Sequence, residues 1–153
     1  MIIRACILCL SMTSAPVVLA DTLQLVFGKT TRTITTEDLS HLALSTIKTS
    51  TNFTPEATFE GVTFTTLLKS YGVQASQLRI FALDDYSYTL PVAELDKYGV
   101  ILAYKKNGKQ IPVSDLGPFA VIYPRDQHPE LNNLEVNART VWQINRIEAV
   151  DER

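Results

Sequence analysis

Residues 79–91 read Arg79-Ile80-Phe81-Ala82-Leu83-Asp84-Asp85-Tyr86-Ser87-Tyr88-Thr89-Leu90-Pro91. An apolar run reaches two acids, turns, and returns with Tyr86, Tyr88 and Leu90 alternating against Ser87 and Thr89. Alternation at period two marks a half-buried strand, so the stretch predicts two antiparallel strands joined at Asp84-Asp85. Both acids tolerate the backbone of a tight turn. A sheet with one dry face therefore stands at the centre of the chain.

Upstream, Leu23, Leu25 and Phe27 alternate, Gly28-Lys29 turns, and Thr31 to Thr35 forms the second arm of a hairpin. Thr35 stands three residues before Asp38, a capping arrangement that starts a short helix over Thr36 to Leu42. Ala43 to Lys48 reads as a strand, and Thr49 to Pro55 as a polar break that contains the sequon Asn52-Phe53-Thr54. The clearest helix follows. Thr63 is its N-cap, Phe64, Leu67, Leu68 and Tyr71 form one apolar stripe, and Gly72 ends it.

Downstream, Pro91 suits the first turn of a helix that runs to about Tyr98 and stops at Gly99. Val100 to Tyr104 and Phe119 to Tyr123 are continuous apolar strands, and Asn107-Gly108 is a hairpin tip. Arg125 to Ala138 is polar and aperiodic, and is expected to be a long loop. Trp142, Ile144 and Arg146 share one phase and Ile147 and Ala149 the other, which predicts a last strand with a bulge. Together these elements give an α+β fold, a mainly β mixed sheet with a few short helices.

The 153 residues suit one domain. A formal net charge of -2 without a basic cluster argues against nucleic acid as a partner. Arg4, the apolar run Ala5 to Leu10, and Val18-Leu19-Ala20 before Asp21 read as a secretory signal over residues 1–20. That leaves a single domain over 21–153, periplasmic or secreted, with no membrane insertion after cleavage. The apolar run falls short of the roughly 20 residues a membrane span needs. Both cysteines, Cys6 and Cys9, lie inside the signal. A mature chain would then have no disulfide and no thiolate for catalysis or metal binding.

Several motifs stand in a familiar order: Phe59-Glu60-Gly61-Val62, Ala82 to Tyr86, Leu90-Pro91, Ile101 to Tyr104, Asn107-Gly108, Gly117-Pro118, Tyr123-Pro124 and the closing Arg139 to Glu148. In order and spacing the chain resembles the molybdopterin-binding domain of the sulfite-oxidase family, and within it small exported members with nothing else attached. The resemblance spans about Thr22 to Val150 and implies the family's mixed-sheet fold. It also implies where chemistry would sit. Family enzymes hold molybdenum through a cysteine on the loop after the strand that here is Ala43 to Lys48; this chain has Thr49-Ser50-Thr51 there. The family's glycine pair before a proline, with an arginine after it, is here Leu116-Gly117-Pro118-Phe119-Ala120. A lysine that contacts the cofactor is replaced by Trp142. A hydroxyl is a hard, poorly ionised donor where a soft thiolate is needed.

These departures predict no molybdopterin, no metal and no catalytic residue. The leading expectation is an exported, cofactor-free relative that binds or senses a small polar or anionic ligand, with a membrane signalling protein as its partner. Asn52, Asp85, Tyr86, Arg125 and Arg139 are the candidate ligand contacts, the arginines supplying charge-assisted hydrogen bonds. The alternatives are a molybdopterin-dependent oxidoreductase and a structural interaction module. Structural pairing of Arg139 with a nearby acid, a solvated Asp84-Asp85 turn and a surface His128 are the plainer readings of those residues.

Overall fold

The computed structural model describes residues 21–150. The expected signal over residues 1–20 lies outside them. Two five-stranded sheets carry the fold. The first joins β1 (Thr22–Phe27), β2 (Thr30–Thr35), β5 (Gln77–Ala82), β6 (Ser87–Pro91) and β10 (Ile144–Val150), in the order β2-β1-β10-β5-β6. The second joins β3 (Ser45–Thr49), β4 (Ala57–Thr63), β7 (Ile101–Lys106) and β8 (Lys109–Gln110), with β9 (Ala120–Ile122) paired to β7. The β1–β10 pairing is parallel, with Leu25 opposite Ile147; the remaining ladders are antiparallel.

Burial explains why the two sheets differ in sequence. In the first, Leu23, Leu25, Leu78, Ile80, Leu90, Ile144 and Ile147 point into one core, and the residues between them are more open, hence the alternation. In the second, β9 and the first four residues of β7 are dry on both faces. Leu102, Tyr104, Val121 and Tyr123 join the main core, while Ile101, Ala103, Ala120 and Ile122 join a smaller cluster around Phe59 and Ile111. A strand covered on both sides has no polar phase, so β7 and β9 read as unbroken apolar runs.

Short helices close the main core. In α1 (Thr36–Ser40) the expected capping box forms, with the Asp38 N–H donating to Thr35 Oγ1 at 3.0 Å and the Thr35 N–H to Asp38 Oδ2 at 2.8 Å. The Thr35 N–H and the Thr35 hydroxyl, which donates to the same Asp38 Oδ2 at 2.9 Å, hold the Asp38 carboxyl below the usual carboxylate range. In α2 (Phe64–Ser70) the Thr63 hydroxyl caps Thr66, and Phe64, Leu67 and Leu68 are buried. Gly72 takes the left-handed φ of +64° that ends the helix. Next come α3 (Val92–Lys97) and, near the C-terminus, α4 (Leu134–Arg139).

Two expectations need correction. Tyr86 precedes β6 and stands in the turn rather than on the strand. Residues 125–138 are not a structureless loop: a 3-10 turn over Pro129–Leu131 leads into α4, whose N-cap Asn133 accepts from the Val136 N–H at 2.9 Å. Leu131 and Val136 anchor the segment in the core. Six residues with one buried side chain are too few for a helical period to show. The expected bulge in the last strand is present between Ile144 and Arg146. Among the described residues no helix is long and apolar enough to cross a membrane.

Candidate functional site

The connection between β3 and β4, the turn between β5 and β6, and the segment from α4 into β10 meet around a cavity of about 360 Å³. Asn52 and Phe53 come from the first, Ala82, Asp84 and Tyr86 from the second, and Asn137, Ala138, Thr140, Trp142 and Gln143 from the third.

Local hydrogen bonds hold these loops in place. The Tyr86 N–H donates to Asp84 Oδ1 at 3.1 Å, which tightens the turn, and the Tyr86 hydroxyl donates to the Ala138 carbonyl at 2.8 Å, which fastens the turn to α4. Burial, then the neighbouring Tyr88, raises the Tyr86 pKa, so the phenol stays a donor. Gln143 sits at φ +54°; its backbone N–H donates to Leu116 and its carbonyl accepts from Leu83, joining the third segment to both neighbours. Phe53 and Trp142 meet with ring centroids 5.4 Å apart and planes tilted by 60°. The cavity thus has aromatic walls from Phe53, Tyr86 and Trp142. Among the described residues Asp84 is the one carboxylate that lines it, and neither Lys, Arg nor His does. Asn137 Oδ1 is buried without a hydrogen-bond partner.

Just before Asn52 and Phe53 in the chain, the Thr49 to Thr51 hydroxyls are occupied in holding the connection. Thr49 is fully buried, and its Oγ1 accepts from the Asp126 N–H at 3.1 Å. The Ser50 N–H and hydroxyl both donate to the Asp126 carboxylate at 2.7 Å. Thr51 Oγ1 accepts from the N–H groups of Phe53 and Thr54, each at 3.0 Å. This donor set does not fit a molybdenum ion: it has no soft ligand, and its oxygens already close a clamp. The aromatic, acid-bearing cavity does not fit a pterin phosphate, which needs cationic donors. Among the described residues no group of three or more His, Cys, Asp or Glu is placed to hold a metal.

The five candidate contacts separate. Asn52 and Tyr86 line the cavity together. Asp85 is exposed at the turn with φ +68° and does not line it. Arg125 lines a separate depression of about 270 Å³ with Ser50, Asp126, Pro129 and Asn132. Its Nη2 donates to Asn132 Oδ1 at 2.6 Å, while Nε and Nη1 are buried without partners. Arg139 is bonded to Glu94 of α3 and to Glu135 of α4. Burial opposes its charge, but the Glu94 hydrogen bond and both carboxylates outweigh burial and raise its pKa. The Tyr123 hydroxyl donates to the other Glu94 oxygen at 2.8 Å, and burial followed by the Glu94 charge raises that phenol far above its ordinary range. His128 packs edge-on against Tyr98, with Nδ1 3.5 Å from Glu130 Oε1.

Sequence reasoning missed Phe53, Asn137 and Gln143 and took Trp142 as the replacement for a cofactor contact rather than as a wall. One signal was available: aromatic residues beside amides in otherwise polar connections, Asn52-Phe53 and Trp142-Gln143. Nothing local brings them together, because they lie about ninety residues apart.

A family model described as the oxidoreductase molybdopterin binding domain matches residues 17–126. The third cavity segment, 137–143, follows that span. Among solved structures, the crystal structure of the sulfane dehydrogenase SoxCD from Paracoccus pantotrophus is similar, with a TM-score of 0.62 at 17% identity, over 86% of this chain and 38% of that one. This chain therefore spans well under half of that chain's length, and the likeness shows the fold. Comparison with curated proteins gives no match.

Proposed function

The chain belongs to the oxidoreductase molybdopterin-binding domain family, and from that premise we propose that it is a cofactor-free member that uses the family cleft to bind a small ligand. The observation that carries the reading is Thr49. It ends β3, where the resemblance expects the loop with the molybdenum-ligating cysteine to begin, and its hydroxyl is buried and bonded to the Asp126 backbone. A ligand position converted into a structural clamp has no donor left for a metal. The aromatic cavity, without a cationic lining residue among the described residues, supports the same reading.

In this proposal the protein acts after export, and a membrane-bound signalling partner reads whether the cleft is filled. The oxidoreductase alternative rests on the family match itself. Protein purified from cells that make the cofactor decides between them. Elemental analysis should find molybdenum well below one per chain, and oxidised extracts should show no pterin fluorescence. Thr49→Cys should remain equally empty, because a thiolate alone does not replace the cationic contacts. About one molybdenum per chain in the unaltered protein would overturn the proposal.

A further inference from the structure

We infer that the cleft takes a small methylated ammonium ion. The inference rests on the ligand-binding reading above and names its ligand class. Phe53, Tyr86 and Trp142 bring three aromatic rings to one cavity of about 360 Å³, and Asp84 is the charged residue among its linings. A ring presents a negative face, so a cation gains from such walls where a neutral or anionic group does not. Methylated ammonium suits them best, since it carries charge without N–H groups that would seek acceptors on an aromatic surface.

The neighbouring arginines do not reverse the sign. The Arg139 guanidinium is held by Glu94 and Glu135, and Arg125 lines the other depression. The Gln143 side-chain N–H is bonded to the Val113 carbonyl. Choline is the simplest probe of this class. Phosphate and sulfate would meet an acid and ring faces.

The test uses an internal reporter, because Trp142 is the single tryptophan of the chain. Its emission is followed while the whole protein is titrated at constant ionic strength with choline, with its neutral isostere 3,3-dimethylbutan-1-ol, and with phosphate. Choline should give a saturable change, about tenfold tighter than the alcohol. Asp84→Asn keeps an oxygen for the Tyr86 N–H, and should weaken choline several-fold with little effect on the alcohol. Equal binding of choline and the alcohol, saturation by phosphate instead, or no saturable choline response up to about 100 mM would each overturn the ammonium class; a gap of this size rests on the charge alone. Molybdenum assayed on the same preparation separates the failures: a metal-loaded protein sinks the cofactor-free reading, whereas phosphate binding to metal-free protein sinks the ligand class alone.

Discussion

Replacing Arg139 by alanine tests whether this residue serves the fold or a ligand. Its guanidinium joins Glu94 of α3 to Glu135 of α4, and Tyr123, which follows β9, shares Glu94. The side chains of Arg139 and Glu94 are 14% and 23% exposed, whereas Glu135 is 62% exposed. The Glu135 pair is therefore screened by water and contributes little. The Glu94 pair lies between two limits: exposed pairs contribute up to about 1 kcal/mol, and breaking a buried pair costs about 3–5 kcal/mol. With both partners mostly covered, we expect a loss of about 2 kcal/mol. Glu94 would keep only the Tyr123 hydroxyl.

In urea, a slope of roughly 2 kcal/mol per molar moves the midpoint down by about 1 M. Glu94→Gln in a double-mutant cycle with Arg139→Ala should return a coupling of about 1 kcal/mol or more. Arg139→Lys should recover only part of the loss, because an ammonium cannot bond both acids with a planar fork. A loss below about 0.5 kcal/mol, or a coupling near zero, would refute the structural role, since that is the behaviour of a solvated surface pair. Loss of Trp142 ligand response in Arg139→Ala at unchanged stability would return the residue to the ligand, as the sequence alone suggests.

Leu68 is 5% exposed, and Leu68→Ala should cost roughly 2–5 kcal/mol by denaturant titration; a loss under about 0.5 kcal/mol would place the α2 stripe wrongly. Gly61 lies where β4 shifts register against β7, and an added Cβ would meet the Leu102 carbonyl oxygen at 2.0 Å. Gly61→Ala should therefore destabilise by about 3 kcal/mol or more, and a fully stable variant would contradict the close approach of the strands. The depressed Asp38 pKa predicts a pH signature. Its stabilisation should be present at neutral pH, begin to fade near the unfolded value of about 4, and vanish as pH falls through the folded value. The stability gap between the unaltered protein and Asp38→Ala should accordingly close in acid, and a pH-independent gap would disprove the linkage. For export, intact mass of extracytoplasmic protein should show a chain starting at Asp21; a retained residue 1 would count against the signal reading.

Local order was legible in the sequence because local rules decide it. Period-two alternation marked β1 and β6, and an apolar run leading into two acids marked β5. The Thr35 and Thr63 caps and the Gly72 stop marked α1 and α2, because caps satisfy backbone groups within a few residues. Continuous apolar runs marked β7 and β9, though not that both faces were covered by different clusters. Cysteine content and the position of Thr49 were likewise readable one residue at a time. Tertiary structure alone decided the site. Arg139 was chosen for its charge, but two acids, Glu94 from 45 residues away and Glu135 one helical turn back, claim that charge. Asn52 and Tyr86 share a cavity, whereas Asp85, one residue from Tyr86, is turned out by its left-handed backbone. The cavity's character comes from Phe53 and Trp142, brought within ring contact by the packing of both sheets. A single side chain carries its chemistry in its own name; the sign and shape of a site depend on which distant side chains surround it, and only the folded chain sets those distances.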